Sequence, residues 1–183
     1  MKVLIVSDTH GMDKNFEKVI MREAPVDVVI HCGDIEGSED YYEVLCECPT
    51  YFVRGNCDLS SPLSSEIVFE LCGYSIMVTH GHYYGVSMGL DWLMEEARER
   101  KVDIVMYGHT HRPDLQEEDG LIVLNPGSLS LPRQKGRKPT YLIMEINENK
   151  KLKFFELFLF RSQRHDLVYI IVFYLSTTFF KKF

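Results

Sequence analysis

Along the first 160 residues, short apolar runs alternate with amphipathic stretches. Residues 2–7 are apolar and β-rich, which predicts a short buried strand. In residues 13–23, Phe16, Val19 and Ile20 recur at helical spacing, so a helix follows. Residues 26–31 read as a second buried strand, 39–48 as a weaker helix stopped by Pro49, and 51–53 as a third strand. This β-α-β-α-β opening implies parallel strands with crossover helices. Farther on, residues 67–71 and 74–79 flank Cys72-Gly73, the composition of a hairpin. Leu90, Leu93, Met94 and Ala97 share one face of a helix over 90–100, with basic residues in its last turn. Further strands are expected over 103–107, 121–124, 141–146 and 152–160, the last two joined by a turn at 147–150. The order predicts an α/β (α+β) fold of two packed sheets with helices outside.

Polar residues gather where the apolar runs stop. Run one ends in Asp8-Thr9-His10-Gly11, run two in His31-Cys32-Gly33-Asp34, and run three in Gly55-Asn56-Cys57-Asp58. The hairpin's second strand ends in His80-Gly81-His82, and the next strand in Gly108-His109-Thr110-His111. In α/β sheets, ligands bind at the carboxyl ends of strands. Carboxylate, imidazole and carboxamide together suit Mn²⁺, Fe²⁺, Zn²⁺, Ni²⁺ or Co²⁺ better than Ca²⁺ or a thiolate cluster. Glycines at the tips allow the sharp turns that bring neighbouring side chains together. In D-x-H and H-x-H, residues two apart point the same way on an extended strand, so one ion or a close pair can reach both.

Composition narrows the class. The 183 residues, 45% apolar and 26% charged, fit one soluble globular domain. A net charge of −7 argues against a long nucleic-acid partner. Five cysteines without C-x-x-C spacing read as reduced thiols of a cytoplasmic protein. Asp8 interrupts the first apolar run, so no signal peptide is expected.

The D-x-H, G-D, G-N-C-D, H-G-H and G-H-T-H pieces, in this order, resemble a calcineurin-type metallophosphoesterase, closest to the small YfcE-like phosphodiesterases of bacteria and archaea. The resemblance runs from about residue 1 to 160. It implies a four-layer α-β-β-α sandwich of two mixed sheets flanked by helices. It also implies a pair of divalent ions, Mn²⁺ first among them. Asp8, His10 and His111 would hold one ion, Asn56, His80 and His109 the other, and Asp34 would bridge both. The nucleophile in this family is a water or hydroxide shared by the ions, attacking the phosphodiester in line. Many relatives carry a histidine where this chain has Cys57. A thiol is a weaker general acid than imidazolium, so leaving groups that need little protonation, such as aryl esters, should be favoured.

Other residues divide between site and scaffold. Asp58 could orient a neighbouring group, and His82 could help the leaving group or be plain loop. His31, on an apolar strand, reads as a hydrogen-bonded core histidine. Asn125-Pro126-Gly127-Ser128 is a tight turn by composition, which the resemblance sets, with Ser128 and Arg133, beside the metals. Arg133 could contact substrate phosphate or be an exposed loop arginine. Tyr83 and Tyr84 could wall a pocket or pack in the core. A phosphomonoesterase is the close rival. A protein-binding scaffold like the retromer subunit of the same fold is the non-enzymatic one, and a complete ligand set argues against it. Relatives are often dimers or tetramers.

The tail 161–183 stands apart. It holds four basic residues and one acidic, leaving 16 basic against 26 acidic residues, a balance of −10, in residues 1–160. Residues 167–180 carry no charge, yet a stretch of 14 is short of the ~20 needed to span a bilayer. A membrane contact is expected only if this tail anchors. A strand or helix packed on the domain or on a neighbouring subunit, or an appended extension without a role, are the other readings.

Overall fold

The computed structural model describes residues 1–159 and 170–173. Eleven strands and three α-helices appear among them. Strand β1 (Lys2–Val6) leads into α1 (Asp13–Glu23), β2 (Val28–His31), α2 (Glu39–Cys46) and β3 (Thr50–Phe52). Then come β4 (Glu66–Leu71), β5 (Tyr74–Thr79), a 3₁₀ turn at His82–Tyr84, α3 (Asp91–Glu99) and β6 (Ile104–Met106). The chain continues through β7 (Pro113–Glu118), β8 (Leu121–Pro126), β9 (Thr140–Ile146), β10 (Leu152–Phe158) and β11 (Ile170–Phe173).

Two mixed sheets result. The first runs β11-β10-β9-β1-β2-β3 and the second β4-β5-β6-β8-β7. β1, β2 and β3 are mutually parallel, as are β5, β6 and β8; the outer pairings are antiparallel.

Side chains along β1 alternate between two cores, as a period of two requires. Val3 and Ile5 face the second sheet, in a core shared with Ile76, Val78, Ile104, Met106, Ile122 and Leu124. Leu4 and Val6 face the other way, against Phe16, Val19 and Ile20 of α1 and Tyr42 of α2. On the far side, α3 lays Leu93, Met94 and Ala97 on Met77, Val105 and Val123. The layers are therefore helices, sheet, sheet, helix. Each aliphatic or aromatic side chain so buried contributes roughly 1.5–3 kcal/mol, enough to hold strained backbone at the strand ends.

The hairpin pairs Leu71 with Tyr74, and Cys72 (φ 52°) and Gly73 (φ 86°) form a two-residue primed turn. β7 is an element the hydrophobic pattern misses. It is a half-exposed edge strand of mostly polar residues opening on a proline, and edge strands need no apolar alternation. Pro126 belongs to β8, so the expected turn begins only at Gly127. In the tail, Ile170–Phe173 pairs antiparallel with β10, so a strand is present there. The rest of the uncharged run lies outside the described residues. Among those described, no helix is long and apolar enough to cross a membrane.

Candidate metal centre

The parallel strands of both sheets deliver their carboxyl ends to one rim. Asp8 and His10 follow β1, Asp34 follows β2, and Asn56 follows β3. His80 follows β5, and His109 and His111 follow β6. Asp8, His10, Asp34, His109 and His111 all have positive φ, between 47° and 67°. Their convergence thus comes from left-handed turns at the tips, and not from the extended geometry that the D-x-H and H-x-H spacing suggests. Each such residue costs on the order of 1–2 kcal/mol, a total comparable to the stability of an average domain. Backbone bonds between tips hold the strain: Asp8 N–H donates to Gly33 O at 3.0 Å and His10 N–H to Asp34 O at 3.0 Å. Two glycines permit the approach. A Cβ at Gly55 would collide with Asp34 Oδ1, and one at Gly108 with Ser7 Oγ.

Asp8 and Asp34 each have one oxygen held by the protein and one turned inward. Asp8 Oδ2 accepts from Ser7 Oγ at 2.6 Å and His109 N–H at 3.2 Å. Asp34 Oδ1 accepts from Cys57 N–H at 2.8 Å. The inward oxygens face ring nitrogens: His111 Nε2 lies 3.0 Å from Asp8 Oδ1, and His80 Nε2 lies 3.3 Å from Asp34 Oδ2. His10 Nε2 stands 3.8 Å from each carboxylate and 3.3 Å from His111 Nε2. Beside them, His109 Nδ1 is 2.9 Å from Asn56 Oδ1.

The far nitrogens decide what the near ones can do. His80 Nδ1 is 2.7 Å from Cys32 O, His111 Nδ1 is 2.7 Å from Leu131 O, and His10 Nδ1 is 2.6 Å from Glu36 Oε1. These partners only accept, so each Nδ1 carries a proton, and in the neutral ring each Nε2 turns a lone pair inward. Asp8 Oδ1 and His80 Nε2 are buried without an aligned hydrogen-bond partner. Lone pairs and carboxylates facing one another need a cation between them. Asp8, His10 and His111 form one group able to hold an ion, and Asp8, Asp34 and His80 another.

The electrostatics agree. Burial disfavours the charged Asp34, but His80 and the Cys57 N–H outweigh it and hold the carboxyl well below the usual range. Burial also opposes protonation of His80 and His111, yet the facing carboxylates raise both. The pocket therefore attracts positive charge. His109 and His82 are lowered, by desolvation and then by neighbouring histidines. Desolvation, with the charge of Asp34, pushes the Cys57 thiol up to about 12.

The remaining candidates divide clearly. His31 is buried; its Nδ1 accepts from Gly33 N–H at 3.1 Å and its Nε2 meets Thr9 Oγ1 at 3.1 Å, as a core histidine would. Burial lowers it to about 4. Asp58 clasps two tips: Oδ2 accepts from Gly55 and Ile35, and Oδ1 from Glu36. Ser128 donates to Asp8 O at 2.8 Å and caps the turn after β8 through Leu131 N–H. Arg133 donates its backbone N–H to His111 O at 2.9 Å, with its side chain exposed. Two further residues support the ligand candidates. Glu36 backs His10, and Asn125 ties the G-H-T-H turn by donating to Gly108 O at 2.8 Å.

A buried pair of aspartates is ringed by four histidines and an asparagine on the common rim of two sheets, a donor set able to hold metal ions. The chain belongs to the calcineurin-like phosphoesterase superfamily: residues 1–149 match that domain. It is 35% identical to the probable metallophosphoesterase YsnB of Bacillus subtilis (strain 168), over 85% of this chain and 91% of that protein. It is 28% identical to the phosphodiesterase YfcE of Escherichia coli (strain K12), over 81% and 89% of the two chains. A crystal structure of a predicted phosphoesterase from Streptococcus pneumoniae TIGR4 superposes with a TM-score of 0.74 at 32% identity, covering 93% of this chain and 97% of the other. The zinc complex of Vps29 from Entamoeba histolytica reaches a TM-score of 0.76 over 94% and 99% of the chains, but at 23% identity it shares the fold alone.

Proposed function

We infer that this chain hydrolyses a small phosphodiester at a centre of two divalent metal ions. In this reading Asp8, His10 and His111 hold one ion, Asn56, His80 and His109 the other, and Asp34 bridges them. The carrying observation is the set of inward Nε2 atoms of His10, His80 and His111, each ring held by an acceptor at Nδ1 and facing two buried carboxylates. Bound there, two divalent ions supply a water activated for in-line attack and positive charge against the oxygens of the transferring phosphoryl group.

The chain's own groups do the rest. Asp34 stays ionised through the acidic range because His80 and the Cys57 N–H stabilise its charge. Asp58 keeps the Asp34 and Asn56 tips in register. Burial and the neighbouring Asp34 favour the protonated Cys57 thiol, and a thiol is a weaker general acid than an imidazolium. That favours leaving groups that depart without much help.

The nitrogen and oxygen donors suit Mn²⁺, with Ni²⁺, Fe²⁺, Zn²⁺ or Co²⁺ also compatible. The relative named a phosphodiesterase supports the diester. We place the working unit in residues 1–160 and the protein in the cytoplasm, in keeping with its five free cysteines. A homodimer or homotetramer is open to this chain as to its relatives, and long nucleic acid is not an expected partner.

Hydrolysis of bis(p-nitrophenyl) phosphate and p-nitrophenyl phosphate tests this reading. EDTA should remove activity and Mn²⁺ restore it, Asp34→Asn should abolish it, and the diester should be preferred. Activity indifferent to chelation would sink the metal reading. A preference for the monoester would make the chain a phosphomonoesterase. Metal binding without hydrolysis of either would favour the scaffold reading.

A further inference from the structure

Beside the second ligand group, aromatic rings run from the interior to the surface. The His80 ring lies 5.3 Å from His109 and 5.4 Å from His82, centroid to centroid. His82 is 6.2 Å from His109, and Tyr83 rests on His82 at 4.0 Å. Exposure rises along the row, from 0% at His80 to 60% at Tyr83. The next residue turns to the scaffold: Tyr84 donates to Glu66 Oε2 at 2.6 Å and meets Trp92 edge-on at 5.6 Å. Of the two tyrosines, Tyr83 is the one left with its ring in solvent.

The turn carrying this ring is fixed. Gly81 (φ 91°) and Gly85 (φ 62°) bracket it in left-handed conformations, and Tyr84 N–H donates to Gly81 O at 3.0 Å. A Cβ on Gly81 would press into Val86. His82 Nδ1 is buried without a hydrogen-bond partner. A tyrosine so exposed adds little to the core, yet it is held in one place beside the ligands. On the exposed side of His10, the side chains grouped with it are Glu36 and Cys57, a charge and a thiol and no ring. The aromatic surface is thus on one side of the site.

Building on the phosphoester reading above, we propose that His82 and Tyr83 form a subsite for a planar aromatic group of the substrate, with Tyr83 as its stacking face. The phosphoryl oxygens then lie at the ligand cluster and the ring of the ester lies along Tyr83. Aryl groups also leave readily, which matches a site that has Cys57 where an imidazole acid would stand. An aromatic pair in this setting changes affinity by on the order of tenfold.

Phenylphosphonate and methylphosphonate share an anionic head and differ by the ring. Their binding to the Mn²⁺-loaded full chain is measured by calorimetry for wild type, Tyr83→Ala and Tyr83→Phe. Wild type should bind the phenyl compound roughly tenfold more tightly. Tyr83→Ala should bring the ratio to about one with methylphosphonate affinity unchanged, and Tyr83→Phe should keep the wild-type ratio. Equal binding of the two by wild type, or a ratio that survives in Tyr83→Ala, overturns the subsite and leaves the phosphoester reading standing. Binding of neither probe overturns both.

Discussion

Behind each inward-facing imidazole stands an acceptor: Cys32 O for His80, Leu131 O for His111, and the Glu36 carboxylate for His10. Two of these are main-chain carbonyls. Glu36 is the one that carries charge, at 2.6 Å from His10 Nδ1, and it makes the ring a stronger donor through its far nitrogen. Glu36→Gln keeps an acceptor and loses the charge. It should weaken Mn²⁺ binding by roughly tenfold with the melting temperature little changed, measured by calorimetric titration; unchanged affinity would show that His10 needs no carboxylate. Glu36 was invisible in the sequence, because one glutamate two places after Asp34 in an acidic chain carries no pattern. The seven ligand candidates were legible because aspartate, asparagine and histidine recur with glycine wherever an apolar run stops.

At the scale of elements, the site depends on strand tips being tied to one another. Asp58 is the tie between the tips after β2 and β3, accepting three backbone N–H groups from residues 35, 36 and 55. Asp58→Ala leaves those donors without their acceptor, at a cost of about 1–3 kcal/mol for each that stays buried. It should lower the unfolding free energy and Mn²⁺ affinity together; a stability loss with full metal affinity would mean the tips hold their positions without it. Helices α1 and α3 and the hairpin were readable from spacing and turn composition. β7 was not, because an edge strand of Pro113, Asp114, Gln116 and two glutamates has neither alternation nor apolar character, and only its pairing with β8 makes it a strand.

Across the whole molecule, the described part of the tail, β11, is the edge of the first sheet away from the strands that carry the candidate site. In the order β11-β10-β9-β1-β2-β3, the metal-facing tips belong to the last three strands and β11 is the far edge. Removal of residues 161–183 strips a strand from β10 and should leave metal-dependent hydrolysis within about twofold, while exposing an edge prone to self-pairing. Loss of activity in a truncated chain with an intact circular dichroism spectrum would tie the tail to function.

Local pattern determined most of the elements and the kinds of donor atom, since periodicity, turn chemistry and ligand type belong to residues a few places apart. Tertiary structure alone decided which nitrogen of His10, His80 and His111 turns inward, which oxygen of Asp8 and Asp34 is left to face them, that Tyr83 is a rim residue and Tyr84 a scaffold one, and that the tail adds a strand. Those outcomes depend on partners as far apart in sequence as His80 and Cys32 or His111 and Asp8, which meet only when the two sheets close on each other.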